Sequence, residues 1–203
     1  MHIGICGGTF DPFHRGHLEP VLHARDAMRW DRVLYVPAWK QPFKSDRQTA
    51  SGYHRFAMAV IATKDHDWMF VDDLELQRGG TSYTVDTLAA LHERHRGATF
   101  DWIIGEDNVA QLPQWREPER LFQMARFVVL KRAVECGGHA GAVEEQRHGR
   151  RTPHVVYADT PFVNVSSTEI RQCVRDGKPI DAFVDPLVAR YIHHYGLYKE
   201  GTA

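Results

Sequence analysis

Short apolar runs rich in Val and Ile alternate along the chain with longer segments in which apolar residues recur at helical spacing. The short runs lie at 2–6 (HIGIC), 32–37 (RVLYVP), 68–73 (WMFVDD), 100–105 (FDWIIG), 126–131 (RFVVLK) and 154–159 (HVVYAD). The helical period occupies 17–29 (HLEPVLHARDAMR), 52–63 (GYHRFAMAVIAT) and 82–95 (SYTVDTLAALHERH). Strand-like and helix-like patterns in alternation predict βα units around a doubly wound parallel sheet, with right-handed crossovers placing helices on both faces. Pro20 fits the first turn of its helix, where a missing N–H costs least.

The pattern breaks over 133–152 (AVECGGHAGAVEEQRHGRRT), which has four glycines and no periodic apolar face. That stretch reads as an exposed loop. Beyond it, 166–177 (SSTEIRQCVRDG) carries capping signals ahead of Ile170, Cys173 and Val174, and 185–198 (DPLVARYIHHYGLY) reads as a last amphipathic helix. Gly177 and Gly196 stand where C-terminal caps belong. The 203 residues suffice for one substantial core, so the expected organisation is a single domain over 1–203, with an α/β core over 1–165 and a helical part over 166–203.

Composition narrows the function classes. The net charge is −1, apolar residues make up 43% and charged ones 25% of the chain, which argues against disorder and against an electrostatically driven nucleic-acid surface. No apolar stretch approaches the roughly 20 residues that span a bilayer, so a cytoplasmic protein with no membrane partner is expected. Cys6, Cys136 and Cys173 are odd in number and lack CxxC spacing, against disulfides or a zinc knuckle.

The chemistry concentrates at 7–18, GGTFDPFHRGHL, directly after the first apolar run. In a parallel sheet, ligands bind where strands end and helices begin, because backbone amides and the helix dipole converge there on negative charge. Gly7 and Gly8 let backbone approach a phosphate, and Gly16 does so just before the helix that His17 opens. No GxGxxG and no GK[ST] are present. His14 and His17 suit an anion at a helix start, donating to charge that grows in a transition state. Zinc ligation and simple helix capping are the alternatives, although HxxH alone supplies only two metal ligands.

GGTFDPFHRGH resembles the signature of the nucleotidyltransferase superfamily, whose HxGH is read here as His14, Arg15, Gly16 and His17. VSSTEIR (165–171) is similar to that superfamily's second nucleotide-binding motif, ISSTxIR. SYTVDTL within 79–88, IIGEDNVAQLPQW (103–115), VPAWKQPFK (36–44) and FVVLKR (127–132) resemble segments of bacterial nicotinate-nucleotide adenylyltransferases, and the likeness runs from about Ile3 to Tyr198. It implies a Rossmann-like fold and transfer of AMP from ATP to nicotinate mononucleotide, giving deamido-NAD and pyrophosphate with Mg²⁺ as the cofactor. ATP and nicotinate mononucleotide would be the small-molecule partners, and a homo-oligomer stays open.

The resemblance also implies residue roles. Catalysis falls to His14 and His17, and ATP binding to Gly8, Thr9, Phe10, His14, His17, Gly105, Asp107, Ser167, Thr168 and Arg171. Asp107 would accept from the ribose diol, and the second motif would grip the outer phosphates. Nicotinate mononucleotide would be bound by Lys44, Thr84, Val85, Trp115, Arg116 and Arg132, with Lys40 as a further phosphate contact. Ser82 should cap the helix beginning SYTVDTL, leaving the amides of Thr84 and Val85 to receive a carboxylate, while Trp115 offers a flat face to the pyridinium ring. Glu106 stands where the family often has a small or neutral residue, and Phe43 where it often has His. The alternatives are an adenylyltransferase for nicotinamide mononucleotide or another phosphate ester, and a non-catalytic nucleotide-binding regulator.

Overall fold

The computed structural model describes residues 1–42, 50–133, 143–146 and 155–199, with the side chains of 131–133 and 143–146 outside that description. The strands are β1 (His2–Gly8), β2 (Arg32–Pro37), β3 (Met69–Val71), β4 (Thr99–Gly105), β5 (Arg126–Ala133), β6 (Val143–Gln146) and β7 (Val155–Pro161). They form one sheet in the order β3-β2-β1-β4-β5-β7-β6, parallel throughout except for antiparallel β6 on the edge. The α/β Rossmann-like expectation therefore holds, with β6 a correction: it lies inside the stretch expected to be loop, where VEEQ pairs Val143 with Ala158 through Gln146 with Val155. Polar edge residues carry no apolar alternation to announce a strand.

The helices are α1 (Arg15–Met28), α2 (Gly52–Thr63), α3 (Leu74–Arg78), α4 (Thr84–Arg94), α5 (Pro118–Met124), α6 (Ser167–Arg175) and α7 (Pro186–His194), with a 3-10 segment at Glu106–Gln114. Residues alternate between two cores across the sheet. Val33 and Tyr35 of β2, with Val128 and Val156, face Val21 and Met28 of α1, Met58 of α2, Ile170 of α6 and Val188 and Ile192 of α7. Leu34 and Val36, with Ile3, Ile5, Trp102 and Phe127, face Leu74 of α3, Val85, Leu88 and Leu91 of α4 and Leu121 of α5. Each such side chain, fully buried, contributes about 1.5–3 kcal/mol.

The chain progresses from β1 outward to β2 and β3, then returns to β4 on the other side of β1. Crossovers leaving in opposite directions open a crevice above the carboxyl ends of β1 and β4, the usual ligand position in such sheets. At the opposite end of the strands, Asp101 is 1% exposed and accepts from Trp30 Nε1 (2.7 Å), Arg126 Nε (2.8 Å) and Arg126 Nη2 (2.7 Å), with His2 Nε2 at 2.9 Å. Burial pushes this carboxyl up, but the hydrogen bonds from His2, Arg126 and Trp30 outweigh it and hold it below its usual value. A depressed folded value gives stability that is present in full above about pH 5 and lost as pH falls below about 4. Asp101→Asn is expected to cost about 2 kcal/mol at neutral pH and to flatten the acid limb of the urea-unfolding profile.

Candidate active site

A cavity of about 1760 Å³ opens above β1 and β4, lined among others by Gly8, Thr9, His14, His17, Trp39, Glu75, Thr84, Asp107, Trp115, Thr168 and Arg171. Four segments that are far apart in sequence meet there: 7–17, the first turn of α4, the Trp115 loop and the start of α6.

The first segment leaves β1 through Phe10, a non-glycine residue in the left-handed region (φ 54°), and the cis Asp11–Pro12 bond. His14 is the N-cap of α1 and Arg15 its first residue, so His17 occupies the third helical position rather than opening the helix, and Pro20 lies inside the helix, in its second turn rather than its first. The His14 N–H donates to His17 Nδ1 at 3.2 Å, and the two rings stack with centroids 3.7 Å apart. A neutral imidazole whose Nδ1 accepts must carry its proton on Nε2, so His17 presents a donor from its far edge. Phe10, at 5.0 Å edge-on, and Phe13, at 5.3 Å, hold the His17 ring, and its carbonyl accepts from Tyr35 Oη at 3.1 Å. Gly16 is needed for close approach, since a Cβ there would lie 3.0 Å from Val165 and 3.1 Å from the His14 ring. The hydroxyl of Thr9 is buried and without a partner among the described residues.

The second motif lies beside this turn. Ser166 caps α6, accepting from the Glu169 N–H at 3.2 Å, and Ser167 donates to the Pro12 carbonyl at 3.2 Å. Arg171 donates to the Asp11 carbonyl (2.6 Å) and to Thr168 Oγ1 (3.3 Å), so the histidine turn and the start of α6 are joined by a direct hydrogen bond. Across the crevice, Asp107 is the second residue of the 3-10 segment that follows Gly105, where a Cβ would come within 2.6 Å of Asp107 Oδ1.

At the other end of the cavity the expected cap of α4 is corrected. Its N-cap is Tyr83, which makes no side-chain capping bond, and Ser82 one residue earlier accepts from the Trp39 N–H at 3.0 Å. The first-turn amides of α4 thus lack a capping side chain, unlike those of α2, α6 and α7, which Ser51, Ser166 and Asp185 cap. Trp115 ends the 3-10 segment, half-buried, edge-on to Phe127 at 6.2 Å and with a buried Nε1 that has no partner among the described residues. Arg116 spans the gap to α4, its guanidinium 4.8 Å from the Tyr83 ring centroid and 3.4 Å from Asp86 Oδ2. Lys40 lines the cavity and bridges to Thr81, whereas Lys44 lies outside the described residues. Arg132 pairs along β5 with Thr160, and its side chain is outside the description.

Sequence reading missed the buried charges behind these loops. Arg55 is fully buried and donates to the carbonyls of Thr9 (2.6 Å), Ala38 (2.7 Å) and Ala50 (3.3 Å). Burial lowers its pKa, while Asp11, Tyr198 and Glu75 oppose that fall. Asp11 accepts from Tyr198 Oη at 2.8 Å, both residues being buried. In the sequence, Arg55 shows only as a cation within the apolar helical pattern of 52–63. Cys6 lines the same cavity, but burial pushes its thiol up to about 12, so it offers no thiolate.

Residues 5–173 match the sequence model of the cytidylyltransferase-like family. A "Probable nicotinate-nucleotide adenylyltransferase" of Gemmatimonas aurantiaca is 39% identical over 209 residues, covering 98% of this chain and 93% of the relative. One from Bacillus pumilus is 37% identical, covering 97% and 98%. The solved Plasmodium falciparum nicotinic acid mononucleotide adenylyltransferase, complexed with NaAD, superposes with a TM-score of 0.73 at 25% identity and 97% coverage of both chains. The chain belongs to the nicotinate-nucleotide adenylyltransferase family.

Proposed function

We propose that the protein transfers AMP from ATP to nicotinate mononucleotide, giving deamido-NAD and pyrophosphate, as a soluble cytoplasmic enzyme of NAD biosynthesis. The observation that carries this reading is a single cavity with a donor-presenting histidine pair at one end and an uncapped helix start at the other. ATP is assigned to Gly8, Thr9, Phe10, His14, His17, Gly105, Asp107, Ser167, Thr168 and Arg171. Nicotinate mononucleotide is assigned to the α4 amides of Thr84 and Val85, to Trp115 and Arg116, and to Lys44 and Arg132. A carboxylate gains more than a neutral amide from the positive end of a helix, which favours the acid.

The nucleophile is a phosphate, mostly ionised at neutral pH given a second pKa of about 6, so no general base is required. Positioning and charge stabilisation then carry the rate. His17 Nε2 donates to the α-phosphate as negative charge builds on it, and His14 holds the His17 ring and borders the same phosphate. Arg171 and Thr168 hold the departing phosphates. Among the described residues no three His, Cys, Asp or Glu side chains gather to hold a metal ion, so the donor set fits Mg²⁺ carried by the triphosphate oxygens rather than a protein cage. When bound, the ion neutralises charge on the leaving pyrophosphate.

Incubation with ATP, Mg²⁺ and nicotinate mononucleotide should release pyrophosphate and yield a product of the mass of deamido-NAD. Pantetheine phosphate should give neither. Binding of ATP without pyrophosphate from any acceptor would instead identify a nucleotide-binding regulator.

A further inference from the structure

Glu75, in α3, is 4% exposed, yet it reaches the cavity wall. Its carboxylate accepts from the hydroxyls of Thr87 in α4 and Ser82 just before that helix. Each partner extends the chain of bonds. Thr87 Oγ1 accepts from Arg78 Nη2 at 3.2 Å, and Ser82 Oγ accepts from the Trp39 N–H at 3.0 Å. The Ser82 N–H in turn donates to the Lys40 carbonyl at 2.8 Å. One carboxylate therefore fastens both sides of the uncapped start of α4 and, through Ser82, the cavity-lining segment at Trp39 and Lys40. Burial raises the Glu75 pKa, opposed by the Ser82 and Thr87 hydrogen bonds and by the charges of Arg78 and Arg55.

We propose that Glu75 is a positioning residue for acid recognition: it fixes the start of α4 through Ser82 and Thr87 and so sets the preference for nicotinate over nicotinamide mononucleotide. This rests on the reading that the α4 amides receive the substrate carboxylate. A carboxylate is required because two acceptor oxygens are needed for two hydroxyl donors, whereas the amide of Gln turns one of them into a donor. Thr87 is fully buried and cannot touch substrate, so an effect of changing it on substrate choice must pass through the framework.

The test measures kcat and KM for nicotinate mononucleotide, nicotinamide mononucleotide and ATP in the full chain and in Glu75→Gln, Thr87→Val and Thr87→Ser. Glu75→Gln and Thr87→Val should lower kcat/KM for the acid about tenfold, mostly through KM, and shrink the acid-to-amide ratio by a similar factor, with KM for ATP within about twofold. Thr87→Ser, which keeps the hydroxyl, should stay within about twofold of the unmodified protein. An unchanged ratio in folded Thr87→Val, with lost thermal stability as its only defect, would overturn the proposal by making the network purely structural. A raised ratio in Glu75→Gln would also overturn it, because charge repulsion rather than position would then be acting. If Glu75→Gln does not fold, the Thr87→Val and Thr87→Ser pair decides alone. An unmodified protein that forms deamido-NAD with no preference for the acid would refute the carboxylate reading itself, which is distinguishable from both results.

Discussion

His17→Ala should lower kcat by about 10²–10³-fold, the scale seen when one preorganised donor to a transition-state charge is removed. The geometry makes the expectation specific to one atom. Because the His14 N–H occupies Nδ1 at 3.2 Å, the neutral His17 ring has only Nε2–H to offer. The fold should survive, since the ring is half-buried in the cavity wall and its removal leaves α1 anchored by the Arg15 N–H on the Phe183 carbonyl at 2.9 Å. Steady-state pyrophosphate release, measured beside a thermal melt, separates the two effects. A folded variant with near-normal kcat would remove His17 from the chemistry.

Arg55→Met should destabilise the protein by about 3–5 kcal/mol, the usual consequence of removing one partner from a buried charged network. Three loop carbonyls, at Thr9, Ala38 and Ala50, would lose their donor together, and the buried Asp11 would lose its neighbouring cation. For a chain of this size that corresponds to a fall in Tm of roughly 10 °C. Because the same carbonyls belong to segments lining the cavity, kcat/KM should fall with stability. Urea unfolding within about 1 kcal/mol of the unmodified protein would show that the loops hold without this guanidinium.

The parts of this molecule that were legible in sequence are those in which local pattern and tertiary role agree. The six parallel strands read as apolar runs because both sheet faces are covered, although the run at 68–73 shortens to Met69–Val71 where Asp72 and Asp73 turn the chain into α3. The long helices showed a stripe. At five and seven residues, α3 and α5 are too short to display one, and the 3-10 segment is interrupted by Pro113. The histidine turn and the SSTEIR motif were legible because glycines and hydroxyls stand at fixed spacing at helix starts, and their meeting is now explained by Arg171 on the Asp11 carbonyl. Ser82 shows the limit: its type suits a cap, but a carboxylate seven residues earlier and a backbone amide at Trp39 compete for its hydroxyl and win. Arg55, Asp11 and Tyr198 were silent for the same reason, since a buried charge is defined by partners that sequence spacing does not show.

Acid-selective adenylyl transfer is open to a single competition assay. The protein is supplied with ATP, Mg²⁺ and equal concentrations of nicotinate and nicotinamide mononucleotides, and the two dinucleotide products are quantified from the same reaction. Pyrophosphate should appear in step with dinucleotide, and deamido-NAD in at least about tenfold excess over NAD, corresponding to about 1.4 kcal/mol of discrimination. Equal amounts of the two products, or NAD in excess, would contradict it.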